Sequence, residues 1–429
     1  MTEEPPRRLL EPLRHRGFRL LWVGFVVSQA GDFIQLLAQS WLVVDLTHQA
    51  GKVGTVAFVQ ALPRMLIGLL AGVVVDRVDR RRLLVVTQFL ALVQTLVFLA
   101  LVRADAVTYG RLLVLAFALG TLDSLNLTAR QAVMPSLVPR ALIPKAVALQ
   151  ALGINVNQLL APALGGLLLA AFGVVGCLVV NAVSFFALLG SLAAMDPLPR
   201  PERSGRSVSE ELREGLGFVR ARPELWVPIA LAWALGFVGM PIARLLPLYA
   251  RVVLGTSERQ YGFLAAATGV GAVLASLAVT ARADPRSLPR NISLAGLCFS
   301  LALGAFGARA WLPWAFAFLV LFGGSQMAFR SAISTQLQLL TPDRLRGRVT
   351  SILALDFGLW SLGAVALGAL ADRVSAARAL ALGVDPLHLS PAVRGFGLRA
   401  VFTGAGALCL VLVLLGALAS RTWRPAPAG

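Results

Sequence analysis

The sequence predicts an all-α integral membrane protein of about twelve transmembrane helices, arranged as two pseudo-symmetric six-helix bundles. Three observations carry that expectation. Hydrophobic residues fill 57% of the 429 positions and charged residues only 14%, where soluble domains carry about 25% charged residues; the mean hydropathy is +0.77. Apolar stretches of about 20 residues, the length a helix needs to cross the hydrocarbon core, recur along the whole chain. The halves also resemble each other. A shift of 203 residues superposes Pro139 on Pro342, Leu142 on Leu345, Ala151 on Ala354, Leu159 on Leu362, and Ala163-Leu164-Gly165 on Ala366-Leu367-Gly368. In leucine- and alanine-rich segments the prolines and glycines weigh most, and a repeated half is what duplication leaves behind.

Residues 1–17 are polar, rich in proline and arginine, and lack the apolar core of a secretory signal, so the first span is expected to serve as the insertion signal. Apolar runs between charged or Pro/Gly breaks place spans at 18–46, 53–75, 83–102, 110–134, 145–171, 173–195, 224–250, 260–281, 291–308, 312–337, 349–371 and 398–419. An even number puts both termini on one face. With residues at span ends counted in the adjoining loop, 26 of the 39 lysines and arginines fall on the face of the termini, 10 on the other, and three within spans. The positive-inside rule then predicts cytoplasmic termini. The bundles are expected at 18–195 and 224–420, separated by a cytoplasmic linker, 196–223, that ends in a short amphipathic helix from Ser209 to Arg220; residues 421–429 form a tail.

The net charge of +18 comes from short clusters between apolar runs, not from one basic face, so no nucleic-acid partner is expected. Cys177, Cys298 and Cys409 each sit in an apolar stretch without CxxC spacing and read as inert thiols; no metal site and no cofactor are expected. His15, His48 and His388 are scattered, and HExxH and G-x-S-x-G elements are missing from the sequence, so an enzyme is not expected.

The second span leads into Gly72-Val-Val-Val-Asp76-Arg77-Val-Asp79-Arg80-Arg81-Arg82. A glycine lets helices approach closely, an aspartate caps a helix or pairs with arginine, and an arginine cluster holds the turn at the interface. A plain stop-transfer loop needs no such order. The segment resembles the signature loop of the major facilitator superfamily, G-x-x-x-D-R-x-G-R-[RK], with Asp79 in place of the usual glycine. Further matches are Ala129-Arg130-Gln131 with Pro135-Ser-Leu-Val-Pro139, Pro162-x-x-Gly165-Gly166, and Thr341-Pro-Asp-Arg-Leu-Arg-Gly-Arg348. Together they look like the bacterial branch of enterobactin exporters and macrolide efflux proteins.

The resemblance implies the major facilitator fold and a secondary transporter working by alternating access, as a monomer in the cell membrane. It implies proton-coupled efflux of small amphipathic molecules of drug or siderophore type, so the expected partners are the lipid bilayer, a small-molecule substrate and protons. A proton-coupled importer and a non-transporting sensor on the same fold remain open. It also implies a cytoplasmic gate in which Asp76 and Arg80 latch one bundle to the other, and Gly72, Arg77, Arg81 and Arg130 are grouped with them. Pro162, Gly165 and Gly166 are similar to the antiporter motif G-P-x-x-G, with Ala161 replacing its first glycine, which weakens the export reading. A second signature-like segment, Gly368-Ala-Leu-Ala-Asp372-Arg373, falls at the outer end of its span and reads there as a decoy for the inner gate.

An ionisable residue inside a span costs at least about 2.5 kcal/mol and so marks a functional candidate. Ser28, Asp32, Gln35 and Gln39 follow helical steps and share one face of the first span. Asp32 and Arg64 sit at similar depth on adjacent spans. Asp32 is expected to titrate during transport with Arg64 modulating it; a permanent packing pair is the alternative. Asp123, Asn126 and Arg130 repeat the pattern on the fourth span, where Arg130 lies toward the inner end and favours the gate over the cavity. The second half offers Arg244, Gln326, Arg330 and Asp356, with Arg330 and Asp356 placed to form a packing pair or to meet substrate. Asn155, Asn157 and Gln158 either line the pathway or bond across helices.

Overall fold

A computed structural model describes residues 10–195, 214, 216–281, 287–385 and 389–421. For 67–77, 132, 135, 279–281, 343, 344, 346, 347, 354, 357, 420 and 421 only the backbone is described. The outermost N-terminal residues, most of the linker, and the tail beyond Arg421 lie outside the described residues; of the expected amphipathic helix, Glu214 and residues 216–220 are described and are helical.

The described chain is helical: α1 Arg16–Thr47, α2 Ala50–Arg77, α3 Arg80–Arg103, α4 Tyr109–Val133, α5 Ile143–Ala193, α6 Pro223–Gly239, α7 Pro241–Val252, α8 Glu258–Ala281, α9 Leu288–Ala308, α10 Leu312–Leu340, α11 Asp343–Ala354, α12 Asp356–Ala381 and α13 Pro391–Arg421. Ten stretches among the described residues are long and apolar enough to cross a membrane. Two further features bring the crossings to the twelve expected. The first is α2, 28 residues long and apolar in sequence.

The second is a break in α5 at Gly173, where φ 62 and ψ −167 are open to glycine but not to other residues. Contacts with α1 show that the chain reverses there. Before the break, Gly153 meets Val26, Asn157 bonds Val26 and Gln29, and Gly165 meets Ile34, so this leg runs parallel to α1. After it, Asn181 bonds Asp32 and Gln35, Ser184 meets Gly31, and Ser191 meets Gly24, so the second leg runs antiparallel. Two other expected spans are each interrupted: α6 and α7 meet at Met240, and α11 and α12 meet at Leu355.

Contacts divide the chain into two compact units, residues 1–46 with 59–204, and residues 47–58 with 205–429. Each holds six crossings, and the first turns of α2 are packed with the second unit. Pro139 (φ −56, ψ 149) and Pro342 (φ −57, ψ 147) adopt the same conformation, each just ahead of a helix.

The first unit closes around Phe18, Leu21, Phe25, Leu84, Leu149 and Leu192. In the second, Tyr249, Phe306 and Phe402 stack with ring centroids 4.4–5.8 Å apart. Helices α8 and α10 touch backbone to backbone: a Cβ on Gly271 would lie 1.8 Å from the Val320 carbonyl oxygen, and one on Gly323 would lie 2.0 Å from that of Thr268. Only glycine permits this approach, which is how helices gain dispersion contact where no water drives them together. Outward, Val114, Phe172, Val183, Phe186, Leu277 and Leu380 are each more than 60% exposed. Large apolar side chains standing out in such numbers require hydrocarbon around them.

Candidate functional site

In the first unit the polar face of α1 is the organising element. Ser28, Gln35 and Gln39 are buried, and a buried polar group is costly unless it finds a partner. Gln88 Nε2 on α3 donates to Ser28 Oγ at 2.7 Å, and Asn126 Nδ2 on α4 donates to Gln88 Oε1 at 3.2 Å. Gln35 Oε1 accepts from Thr95 Oγ1 and from Asn181 Nδ2, both at 2.8 Å. The Asn181 amide also reaches Asp32 Oδ1 at 3.5 Å. Gly31 makes the room: a Cβ there would meet Ser184 Oγ at 2.2 Å and Asn181 Oδ1 at 2.4 Å.

Asp32 feels the charges of Asp123 and Arg130, and Asp123 those of Arg130 and Arg64. Two carboxylates and two arginines thus share one neighbourhood. Of these four, Asp32 takes a hydrogen bond from the Asn181 amide. Arg130 is buried with its guanidinium 3.5 Å from the Phe25 ring centroid, a cation–π contact that helps hold a charge out of water. Asp123 is exposed, yet it lies nine residues, half a turn out of phase, from the outward Val114. Its exposure is therefore on the face of α4 turned away from the apolar surface.

The antiporter-like segment packs on the same helix. A Cβ on Gly165 would touch Ile34 Cα at 3.4 Å, Gly166 is buried, and Pro162 sits inside α5. Of the gate motif, Gly72, Asp76 and Arg77 lie on the helical end of α2, with side chains outside the described residues. Arg80 is half-buried. Arg81 donates from Nε to the Leu192 carbonyl at 2.9 Å and from Nη2 to that of Ala193 at 3.1 Å. It thereby caps the negative end of α5, whose last carbonyls have no helical donors. Asp79 accepts from the Arg82 amide at 2.8 Å as the N-cap of α3, a physical reason for aspartate where the superfamily has glycine.

In the second unit Arg330 donates to Asp356, which is fully buried, in a hydrogen-bonded ion pair. The guanidinium lies 5.0 Å from the Trp360 ring centroid. Gly236, Met240, Gln326, Phe329, Arg330 and Trp360 line a cavity of about 20 Å³, room for one ordered water. Arg244 stands instead near the Tyr261 phenol.

A family model described as transmembrane secretion effector matches residues 8–398. The chain belongs to the transmembrane secretion effector family. As a member of this branch of the major facilitator superfamily it is a multi-pass membrane transporter and not an enzyme. It is 26% identical over 382 residues to the multidrug efflux pump Tap of Mycolicibacterium fortuitum, covering 86% of this chain and 93% of the relative. It is 28% identical over 419 residues to the enterobactin exporter EntS of Escherichia coli, covering 96% and 94%. Among solved structures, a bacterial homologue of the human lysosomal transporter Spinster shares the fold, with a TM-score of 0.76, 18% identity, and coverage of 96% of this chain and 99% of that one.

Against the residues singled out by sequence, this family member brings Asp32, Asp123, Arg130 and Arg64 into one group, with Gln35 and Asn126 in the network beside it. Arg130, placed by sequence nearer the gate, stands with the carboxylates. Gln326 and Arg330 share a cavity, whereas Arg244 is not among its lining residues. Asn157 donates to the Val26 carbonyl at 2.9 Å and so bonds across helices. Asn181 was missed, although an asparagine between Val180 and Ala182 in an apolar span is itself a signal of a cross-helix partner.

Proposed function

We propose that the chain exports small amphipathic molecules of drug or siderophore type by proton-coupled alternating access. It acts as a monomer in the cell membrane with both termini cytoplasmic, its bundles at 18–195 and 224–420 joined by the linker 196–223. The observation that carries this reading is the group of Asp32, Asp123, Arg64 and Arg130 in the first unit, two carboxylates and two arginines near enough to feel one another's charge. A proton taken up by Asp32 or Asp123 removes one negative charge from a set holding two of each sign. The arginines keep their charge, so each proton changes the balance that the surrounding helices must accommodate. Support for the cargo comes from relatives named for multidrug efflux and enterobactin export.

In proteoliposomes under an imposed pH gradient, the wild-type protein is expected to move a macrolide or a catecholate siderophore against the proton flow. Asp32→Asn and Asp123→Asn are each expected to lower proton-driven flux by about tenfold or more while leaving ligand-induced thermal stabilisation in place. Unchanged coupling in both variants overturns the assignment. Movement of the probe in the same direction as the protons makes the protein an importer.

A further inference from the structure

Sequence alone leaves Gly368-Ala-Leu-Ala-Asp372-Arg373 without a task. The structure gives it a partner. Asp372 Oδ1 accepts from the Ala50 amide at 3.0 Å and Oδ2 from the Gly51 amide at 2.8 Å. These are the first two amides of α2, which have no acceptor within their own helix and form its positive end. The chain enters α2 through His48, whose φ of 51 is unusual for a non-glycine residue. Its carbonyl accepts from Arg394 Nη1 on α13 at 3.3 Å.

Glycines line the seam between the two helices. A Cβ on Gly368 would fall 2.5 Å from the Ala50 oxygen, and one on Gly54 would fall 2.3 Å from the Ala364 oxygen. A Cβ on Gly51 would lie 3.5 Å from Ala369 Cα. Glycine at these places lets the backbones close up, and Asp372, one turn beyond Gly368, then reaches the exposed amides.

We propose that Asp372 and this glycine seam form a latch that holds the first turn of α2 on the second unit and must release in each transport cycle, making Asp372 a positioning residue for transport. Residues 47–58 are packed with the second unit while α2 from Val59 onward belongs to the first, so one helix serves both. Any displacement of its remainder relative to the second unit pulls on the Asp372 cap. The latch lies at the end of α2 remote from Arg80, Arg81 and Arg82, about 42 Å along a 28-residue helix. The inference rests on the alternating-access reading above.

The test uses the full chain in lipid nanodiscs, with Cys298→Ala as background and nitroxide labels on Leu46→Cys and Leu380→Cys, both exposed positions. Pulsed electron resonance then reads the distance distribution. Asp372→Asn, which keeps the side-chain shape but presents an amide where the second oxygen was, is expected to raise the ratio of long- to short-distance populations about tenfold, equal to about 1.4 kcal/mol. Gly368→Ala leaves the carboxylate intact but pushes a methyl into the seam, and is expected to shift the ratio the same way. The double variant should shift it no further than the larger single one. Thermal unfolding identifies which variants are folded, and an unchanged distribution in either folded single variant overturns the latch. Distances are read without substrate or gradient, so a chain that moves no cargo yet loses the short-distance population separates a failed transport reading from a failed latch.

Discussion

Asp79 departs from the superfamily pattern and at the same time has a visible task. Its carboxylate accepts the Arg82 amide as the cap of α3, so Asp79→Ala should cost about 1 kcal/mol and Asp79→Gly only a few tenths. Equilibrium unfolding of the two variants checks this, and no loss in Asp79→Ala would mean that the cap contributes nothing. The embedded charges were readable residue by residue, because the cost of placing them in hydrocarbon singles out Asp32, Arg64, Asp123 and Arg330 without any structure. Their partners were harder to read. Arg130 lies toward one end of its span by position, and its charge is also within reach of Asp32 and Asp123. Asn181 meets Gln35 from 146 residues away, a separation over which neither periodicity nor hydropathy carries information.

At the scale of elements, the α5 hairpin turns on one residue. Nothing lies within 4 Å of a Cβ built on Gly173, so Gly173→Ala acts through the backbone alone. It should destabilise the protein by about 1–3 kcal/mol, measured as a shift of the unfolding midpoint. No shift would show that the turn relaxes freely. That reversal was legible because a glycine interrupts two apolar runs whose joint length is too great for one crossing. The breaks at Met240 and Leu355 were not, since apolar residues continue on both sides and hydropathy does not register a change of backbone direction. The consequence at Leu355 is chemical: Asp356 becomes the first residue of α12, where a helix N-terminus favours a negative charge, which helps explain how a fully buried carboxylate is tolerated with Arg330 as partner.

For the whole molecule, composition and repeat reveal the solvent and the two sets of six crossings. They do not reveal that residues 47–58 pack with the later part of the chain, because which helix rests on which depends on small-residue shape at particular points. Orientation is a separate question that the charge count answers by prediction. In whole cells, with Cys298→Ala as background, a membrane-impermeant maleimide should modify Arg309→Cys and spare Arg140→Cys. The reverse pattern would put both termini outside.

The backbone contact at Gly271 and Gly323 bears on how such a molecule can flex. Where these backbones touch, no side chain separates α8 from α10, and the two helices move as a single plank. Bending in this half is then left to the joints at Met240 and Leu355, and the second of these sits directly beside the Arg330–Asp356 pair, so a hinge and a buried charge occupy the same spot.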